Sequence, residues 1–173
     1  PESHSMQIID SGIGMSREEL VENIGTIAKS GTKQFSQLAK EMKDNPELIG
    51  LFGVGFYSSF MVAERVTLHT RRADQTEGWF WDSKGDGTYS IMPLDKDSAG
   101  TTITLYFKSK EENEDKDYTE EWVLRDLVKR YSDFIPYPIE MEVEREEVDR
   151  DEEGKEIEST RKKVVKKEVL NSM

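Results

Sequence analysis

The sequence predicts an α+β protein, a two-layer α/β sandwich with a mainly antiparallel sheet and helices on one face. From Arg65 onward, apolar residues recur with a period of two, which is typical of half-buried strands. Segments rich in Asp, Ser, Lys and Gly separate these strands, so consecutive strands are expected to pair antiparallel. Segments with helical spacing flank the strands and are expected to cover one face of the sheet.

The chain is predicted to begin with a strand and a helix. Residues 5–9 are apolar enough for a strand, and residues 16–26 have the pattern of a helix. Ser16 is the predicted N-cap and Glu19 its capping-box partner.

A polar stretch at residues 27–50 follows, with a short helix around Gln34 to Met42. Its Gly, Ser, Thr and Lys content suits a lid that closes over a ligand, and it suits an ordinary surface loop equally well. An apolar helix is predicted to begin at Phe56.

The second half of the chain is predicted to be mostly sheet. Val66, Leu68 and Thr70 alternate with polar residues, and the strand pattern returns at 79–81, 89–92 and 103–107. A helix at residues 123–135 is expected to pack on the sheet, and a last strand at 139–143 to close the layer.

Residues 1–143 are therefore predicted to form one domain, and residues 144–173 a charged linker toward a following domain. An acidic block at 146–158 precedes a basic block at 161–167, and such blocks are usually solvated. A basic patch for nucleic acid or membrane is the alternative, but the adjacent acids cancel its field.

Composition excludes several classes of protein. The 173 residues carry a net charge of -12, from 36 acidic and 24 basic side chains, which argues against a nucleic-acid surface. Cysteine is absent, and His4 and His69 lie far apart in sequence, so neither a metal cluster nor a Ser-His-Asp arrangement is supported. No apolar run approaches a bilayer span and no leader is visible. A soluble, cytoplasmic protein without a membrane partner is expected.

Two glycine loops carry the functional signal. Asp10-x-Gly12-x-Gly14 follows the first predicted strand, and Gly50-x-x-Gly53-x-Gly55 opens the apolar helix at Phe56. A lone glycine loop most often serves only backbone geometry. Two in this order indicate a nucleotide, because a carboxylate can accept from the adenine amine while bare N–H groups at a helix start crowd around phosphate oxygens.

These motifs resemble those of a known family. DSGIGM, GTIAKSGT from Gly25, LFGVGFYSSFMVA from Leu51 and the pair Gly100-Thr101 are similar to the N-terminal ATP-binding domain of the heat-shock protein 90 chaperones, in their bacterial form. The resemblance covers nearly the whole chain. The two glycine loops alone would also admit DNA gyrase, mismatch-repair MutL and sensor histidine kinases.

The resemblance implies a set of nucleotide-binding residues. Asp10, as a buried carboxylate, and Thr101 would recognise adenine, Gly12 and Gly14 would form the loop beside it, and Met15 would cover the ring. The residues implied near the ribose and phosphates are Asn23, Lys29, and the backbone of Gly53, Val54, Gly55 and Phe56. Outside the family context, Thr101 is an ordinary strand residue, Met15 a core residue and Asn23 a polar helix position.

Catalytic and magnesium-binding residues are expected outside this chain. In the resembled family, a glutamate that activates water and an asparagine that holds Mg²⁺ lie on a helix upstream of the D-x-G-x-G motif. That helix and the family's N-terminal strand are expected to precede Pro1, so the chain is interpreted as an N-terminally truncated domain that binds ATP or ADP without turnover.

The implied function is that of an ATP-dependent molecular chaperone of the stress response. ATP would close the lid and drive homodimerisation of the full-length protein, whose partners are unfolded or partly folded client proteins. Two alternatives stay open: a histidine-kinase-like phosphotransferase domain, and a nucleotide-independent interaction module that uses the acidic surface.

Overall fold

The computed structural model describes residues 4–25, 55–113, 116–150, 153, 155 and 157–172. The chain divides into two compact units, Pro1–Lys116 and Asp117–Met173, and each is described by itself. The predicted lid at 27–50 lies outside the described residues. No helix in the described ranges is long and apolar enough to cross a membrane.

The first unit is built on a five-stranded antiparallel sheet with the spatial order β1-β5-β2-β3-β4. Its strands are β1 Ser5–Asp10, β2 Ala63–Arg71, β3 Gly78–Ser83, β4 Ser90–Leu94 and β5 Gly100–Phe107. The antiparallel sheet predicted from the alternation is confirmed. Strand β2 lies next to β5, so the central pairing joins strands that are separated by β3 and β4 in the chain.

Short helical segments connect the strands. Helix α1 spans Arg17–Leu20 and runs directly into a π-helical turn at Val21–Gly25. A 3₁₀ turn at Gly55–Ser58 leads into helix α2, Ser59–Val62. The predicted capping box is confirmed, since the Ser16 side chain accepts from the Glu19 backbone N–H and the Glu19 side chain accepts from Ser16 N–H.

The core lies on one face of this sheet. Leu68 and Trp81 are register partners on β2 and β3, Val66 and Leu105 on β2 and β5, and all four are buried. The backbone of the α1 entry contacts Thr70 on this face, and the Phe56 ring contacts Trp81. Both helical segments therefore cover the same face, which confirms the two-layer α+β arrangement.

The second unit contains helix α3, Glu121–Tyr131, and an antiparallel pair formed by β6, Glu140–Glu147, and β7, Lys162–Val169. A 3₁₀ turn at Glu158–Thr160 precedes β7. The prediction that a strand at 139–143 closes the main sheet is wrong, because β6 pairs with β7 in a separate two-stranded sheet.

The charges of the two strands explain why β6 pairs with β7. Glutamates of β6 lie opposite lysines of β7, as in Glu142 opposite Lys167 and Glu146 opposite Lys163. Opposite charges directly across a strand pair favour the pairing. The charge blocks at 144–173 were interpreted as a solvated linker, but they include the strand β7. The boundary of the ATP-binding domain at residue 143 stays a prediction.

Candidate nucleotide-binding site

The first glycine loop begins where β1 ends, beside β5. Asp10 is the last residue of β1, and its register partner on β5 is Thr101. Directly paired residues of antiparallel strands project their side chains to the same face. The structure thus brings together the carboxylate and the hydroxyl predicted to recognise adenine. The carboxylate that recognises adenine was predicted to be buried, but the Asp10 side chain is exposed. Thr101 is buried, with 7% of its surface exposed.

The Asp10 carboxylate also shapes the loop. Its Oδ1 oxygen accepts a hydrogen bond of 2.8 Å from the Gly12 backbone N–H. A Cβ at residue 12 would lie 2.9 Å from the same oxygen, so glycine leaves the carboxylate undisturbed. Oδ2 has no hydrogen-bond partner among the described residues and is available to a ligand donor.

Gly14 is required by both conformation and space. Its φ is +68°, and a Cβ there would overlap the backbone carbonyl of Arg71 at the end of β2. The loop is held at this point by a hydrogen bond of 2.8 Å from Ala73 N–H to the Ile13 carbonyl. The second glycine of the D-x-G-x-G motif therefore allows the loop to lie directly against β2.

Gly100 has a related role on the opposite strand. Its φ is +107°, and a Cβ there would overlap the backbone of Asp10. Glycine before Thr101 thus permits the close approach of β1 and β5 at the proposed adenine position.

Thr70 contacts two of the predicted site residues, Met15 and Thr101, and the sequence did not reveal it. Its side chain is fully buried, and its Oγ1 accepts from the Met15 backbone N–H at 3.0 Å. The same oxygen lies 3.1 Å from Thr101 Oγ1 and 3.3 Å from the Gly100 carbonyl oxygen. One sequence signal was available. Thr70 is polar, whereas Val66 and Leu68, which precede it on the same face of β2, are apolar.

Met15 and Asn23 lie on the segment after the loop. The Met15 backbone is fixed by Thr70, and its side chain is half-buried. Asn23 is exposed within the π-helical turn. The next residue, Ile24, accepts a hydrogen bond at its carbonyl from the Tyr57 hydroxyl, which ties this turn to the 3₁₀ turn after the second glycine loop.

The described part of the second glycine loop consists of Gly55 and Phe56. They begin the 3₁₀ turn, and the Gly55 carbonyl accepts from Ser58 Oγ at 2.5 Å. The Phe56 ring packs edge-on against Trp81, with 5.5 Å between ring centroids. The Phe56 side chain thus packs against the core, and the backbone N–H of Phe56 is the group predicted to donate to the phosphates. Lys29, Gly53 and Val54 lie outside the described residues.

An ion pair joins the start of α1 to the turn after β2. Arg72 donates to Glu19, whose other oxygen caps Ser16 at 2.9 Å, and also donates to Asp74 at 2.9 Å. The hydrogen bond from Arg72, followed by that from Ser16, lowers the pKa of Glu19 below its usual range. The carboxylate thus stays ionised while it holds the helix start in place.

Two further observations concern what the described residues could bind. No group of three or more His, Asp or Glu side chains among them is placed to hold a metal ion. A surface cavity of about 400 Å³ lies beside α1, lined by Arg17, Glu18, Asp74, Gln75, Thr76, Glu77 and Trp79. It contains none of the predicted site residues, and its mixed charges form no recognisable site.

Comparison with known proteins gives two family matches and many close relatives. Residues 1–109 match the family described as histidine kinase-, DNA gyrase B-, and HSP90-like ATPase, and residues 117–172 match the Hsp90 protein family. The chain is 58% identical over 148 residues to the chaperone protein HtpG of Bdellovibrio bacteriovorus, covering 84% of this chain and 24% of the relative. It is 51% identical over 178 residues to HtpG of Geobacter metallireducens, covering 99% of this chain and 27% of the relative.

HtpG of Mycobacterium tuberculosis is 46% identical over 175 residues, again with 99% of this chain and 27% of the relative covered. The chain therefore spans about a quarter of the length of the curated relatives it matches. The two glycine loops and both family matches indicate the same family. The chain belongs to the HSP90 branch of the histidine kinase-, DNA gyrase B- and HSP90-like ATPase family.

Proposed function

We propose that this chain is the ATP-binding part of an ATP-dependent molecular chaperone. The observation that carries the proposal is the direct pairing of Asp10, at the end of β1, with Thr101, at the start of β5, beside a glycine loop. Asp10 offers an acceptor for the exocyclic amine of adenine, and Thr101 offers a hydroxyl to the neighbouring ring nitrogen, directly or through one water.

The phosphates belong at the second glycine loop. The first N–H groups of a helical turn are not used inside the turn and favour anions, so Gly55 and Phe56 suit this role. By resemblance, Asn23, Lys29, Gly53 and Val54 complete the set. Mg²⁺ would neutralise phosphate charge when bound, and its protein ligand is proposed to lie outside this chain.

Nucleotide binding is proposed to control the whole chaperone. ATP would close residues 27–50 over the site and favour a homodimer of the full-length protein in the cytoplasm, which acts on unfolded or partly folded clients. The histidine-kinase-like alternative is supported only by the family match at residues 1–109, whereas the match at 117–172 favours the chaperone.

The test is a calorimetric titration of ADP and ATP into the full-length protein that contains this chain. Asp10→Asn is expected to weaken both affinities at least about tenfold, because a charge-assisted hydrogen bond contributes about 1.5 to 3 kcal/mol. Asp95→Asn, an exposed residue with the same change in charge, is the matched control and should bind normally.

Two results would contradict the proposal. Unchanged affinity in Asp10→Asn would remove this carboxylate from the adenine site. Absence of any ADP binding by the wild-type protein would instead favour the nucleotide-independent interaction module.

Lid closure has its own test by amide hydrogen exchange. In the full-length protein, exchange at residues 27–50 should be fast without nucleotide and much slower with a non-hydrolysable ATP analogue. Slow exchange that does not respond to nucleotide would show that the segment is fixed structure.

A further inference from the structure

We propose that Thr70 is a positioning residue for the base: it orients the Thr101 hydroxyl as a donor and so adapts the site to a ring nitrogen beside an exocyclic amine. The inference rests on the proposed function, in which Asp10 and Thr101 recognise adenine. It adds a residue that does not touch the ligand but determines which hydrogen bonds the site offers.

The geometry around Thr70 restricts its hydroxyl. A threonine hydroxyl has one hydrogen to donate and two acceptor positions. One acceptor position of Thr70 Oγ1 is taken by the Met15 backbone N–H, at 3.0 Å. The remaining neighbours are Thr101 Oγ1 at 3.1 Å and the Gly100 carbonyl oxygen at 3.3 Å. Thr70 is fully buried, so water does not compete for these positions.

Two arrangements of hydrogens satisfy these contacts. If Thr70 donates to Gly100, then Thr101 must donate back to Thr70 and has no hydrogen left for a ligand. If Thr70 donates to Thr101, the Thr101 hydrogen points away from Thr70 and can reach a ligand acceptor. Both arrangements use the 3.1 Å contact between the two threonines, and the first adds only the 3.3 Å contact with Gly100, which lies farther from the preferred O–H···O distance of about 2.7 to 2.8 Å.

The ligand chemistry selects the second arrangement. Asp10 is an acceptor and takes the amine of adenine, so the adjacent ring nitrogen, itself an acceptor, needs a donor. With the Thr101 hydrogen turned toward the ligand, the site presents one acceptor and one donor in the order that adenine requires. With the hydrogen turned toward Thr70, two acceptors would face each other and leave the ring nitrogen unpaired.

The experiment compares ADP with 1-deaza-ADP, in which C–H replaces this ring nitrogen and the amine is kept. The ratio of the two dissociation constants, measured by calorimetry on the full-length protein, reports the bond that Thr101 donates. The wild-type protein is expected to bind ADP about fivefold more tightly than 1-deaza-ADP. Thr70→Val, of similar shape, should weaken ADP binding and bring the ratio to about one, whereas Thr70→Ser should keep the wild-type ratio.

The ratio separates a positioning role from a structural one. If Thr70→Val weakens both nucleotides equally and keeps the fivefold ratio, Thr70 only supports the fold and the inference is wrong. A wild-type ratio of one, or an unchanged ratio in Thr101→Val, would overturn it as well. Should the valine variant fail to fold, Thr70→Cys, whose thiol is a weak donor and acceptor, is expected to bring the ratio close to one.

Failure of the proposed function gives a different result. In that case the wild-type protein does not bind ADP, or Asp10→Asn binds it normally, and the inference falls with the proposal. If Asp10→Asn shows the expected loss of affinity and Thr70→Val keeps the wild-type ratio, the proposed function stands and only the role of Thr70 is refuted.

Discussion

The two units of the chain use polar residues in opposite ways. In the first unit, four threonine hydroxyl side chains are buried on the two faces of the sheet: Thr67, Thr70, Thr101 and Thr104. In the second unit, charged side chains about one-third exposed connect α3, β6 and β7, with Glu121, Arg125, Arg145 and Glu168 in one network. Buried hydroxyls need fixed partners, whereas exposed charges stay in contact with water.

The charged network has a definite geometry. Arg145 donates to Glu121 at 2.5 and 2.9 Å and to Glu168 at 2.9 and 3.1 Å. Arg125 donates to Glu121 at 2.7 Å and also to Glu168. Exposed ion pairs contribute little singly, but two guanidinium groups shared between two carboxylates fix the register of three elements.

The two units should therefore respond to different kinds of change. Substitutions at the glycine loop should alter backbone geometry and nucleotide binding, independent of salt. Substitutions in the network should alter the response of the second unit to pH and salt, and leave the site unchanged.

Gly14→Ala is expected to have the largest effect. A left-handed conformation costs a residue with a Cβ about 1 to 2 kcal/mol, and the overlap with the Arg71 carbonyl must also be relieved. The free energy of unfolding should fall by about 3 kcal/mol in urea titrations followed by tryptophan fluorescence. Gly12→Ala is the control, because φ at residue 12 is not positive and the new Cβ would meet only the movable Asp10 carboxylate. Equal losses in both variants would refute the role assigned to Gly14.

Acid should act next most strongly, on the second unit. Hydrogen bonds from Arg145 and then Arg125 lower the pKa of Glu121 from 4.5 to about 2, and they lower that of Glu168 as well. A carboxylate with a lower pKa in the folded state stabilises the fold above its unfolded pKa and loses this contribution as pH falls. Protection of β6 and β7 amides from exchange should therefore decline between pH 4.5 and 2.

Replacing both carboxylates tests this origin. Glu121→Gln with Glu168→Gln should lower protection at pH 6 and flatten its decline, leaving the smaller contributions of Asp133, Glu147 and Glu158, whose pKa values are also lowered. Glu140→Gln, on β6 but outside the network, should keep the wild-type profile. A double variant with an unchanged profile would show that the network does not control acid stability.

The sheet could be predicted from sequence because its central strands β2 and β5 carry a local alternation of apolar and polar residues. The pairing of Asp10 with Thr101 could not be predicted in this way, because their strands are distant in the chain and register is not a local property. Family resemblance supplied that pair. Thr70 was missed because threonine is common in strands and its role depends on Met15 and Thr101, which approach it only in the fold.

The helical and charged segments show a second limit. Apolar spacing over residues 16–26 predicts a helix but does not separate an α-helical turn from the π-helical turn at Val21–Gly25. A strand at 139–143 was predicted, but its pairing with β7 was missed because β7 alone has the composition of a solvated charge block. Only the opposition of the two blocks across the hairpin makes them complementary.

Ser16→Ala is expected to have a moderate effect at the first unit. The Ser16 hydroxyl accepts from Glu19 N–H at 3.2 Å, and loss of an N-cap costs about 1 kcal/mol. The free energy of unfolding should fall by this amount in urea titrations, and Ser16→Asp should restore most of it. Ser11→Ala, an exposed serine in the same loop, is the control. A loss as large in Ser11→Ala would mean that the cap is not the cause.

Arg65→Lys should have the smallest effect. It tests the contribution of an exposed ion pair that lies in the first unit. Arg65 Nε and Nη2 each donate to Asp82 at 2.9 Å, and the guanidinium lies 5.1 Å from the Tyr106 ring centroid. Lysine keeps the charge but loses the paired geometry and the planar stacking. Because the Arg65 side chain is 41% exposed, solvent screening should limit the loss to about 0.5 kcal/mol. A double-mutant cycle with Asp82→Asn measures the coupling, and a value above about 1.5 kcal/mol would show that this pair behaves as a buried one.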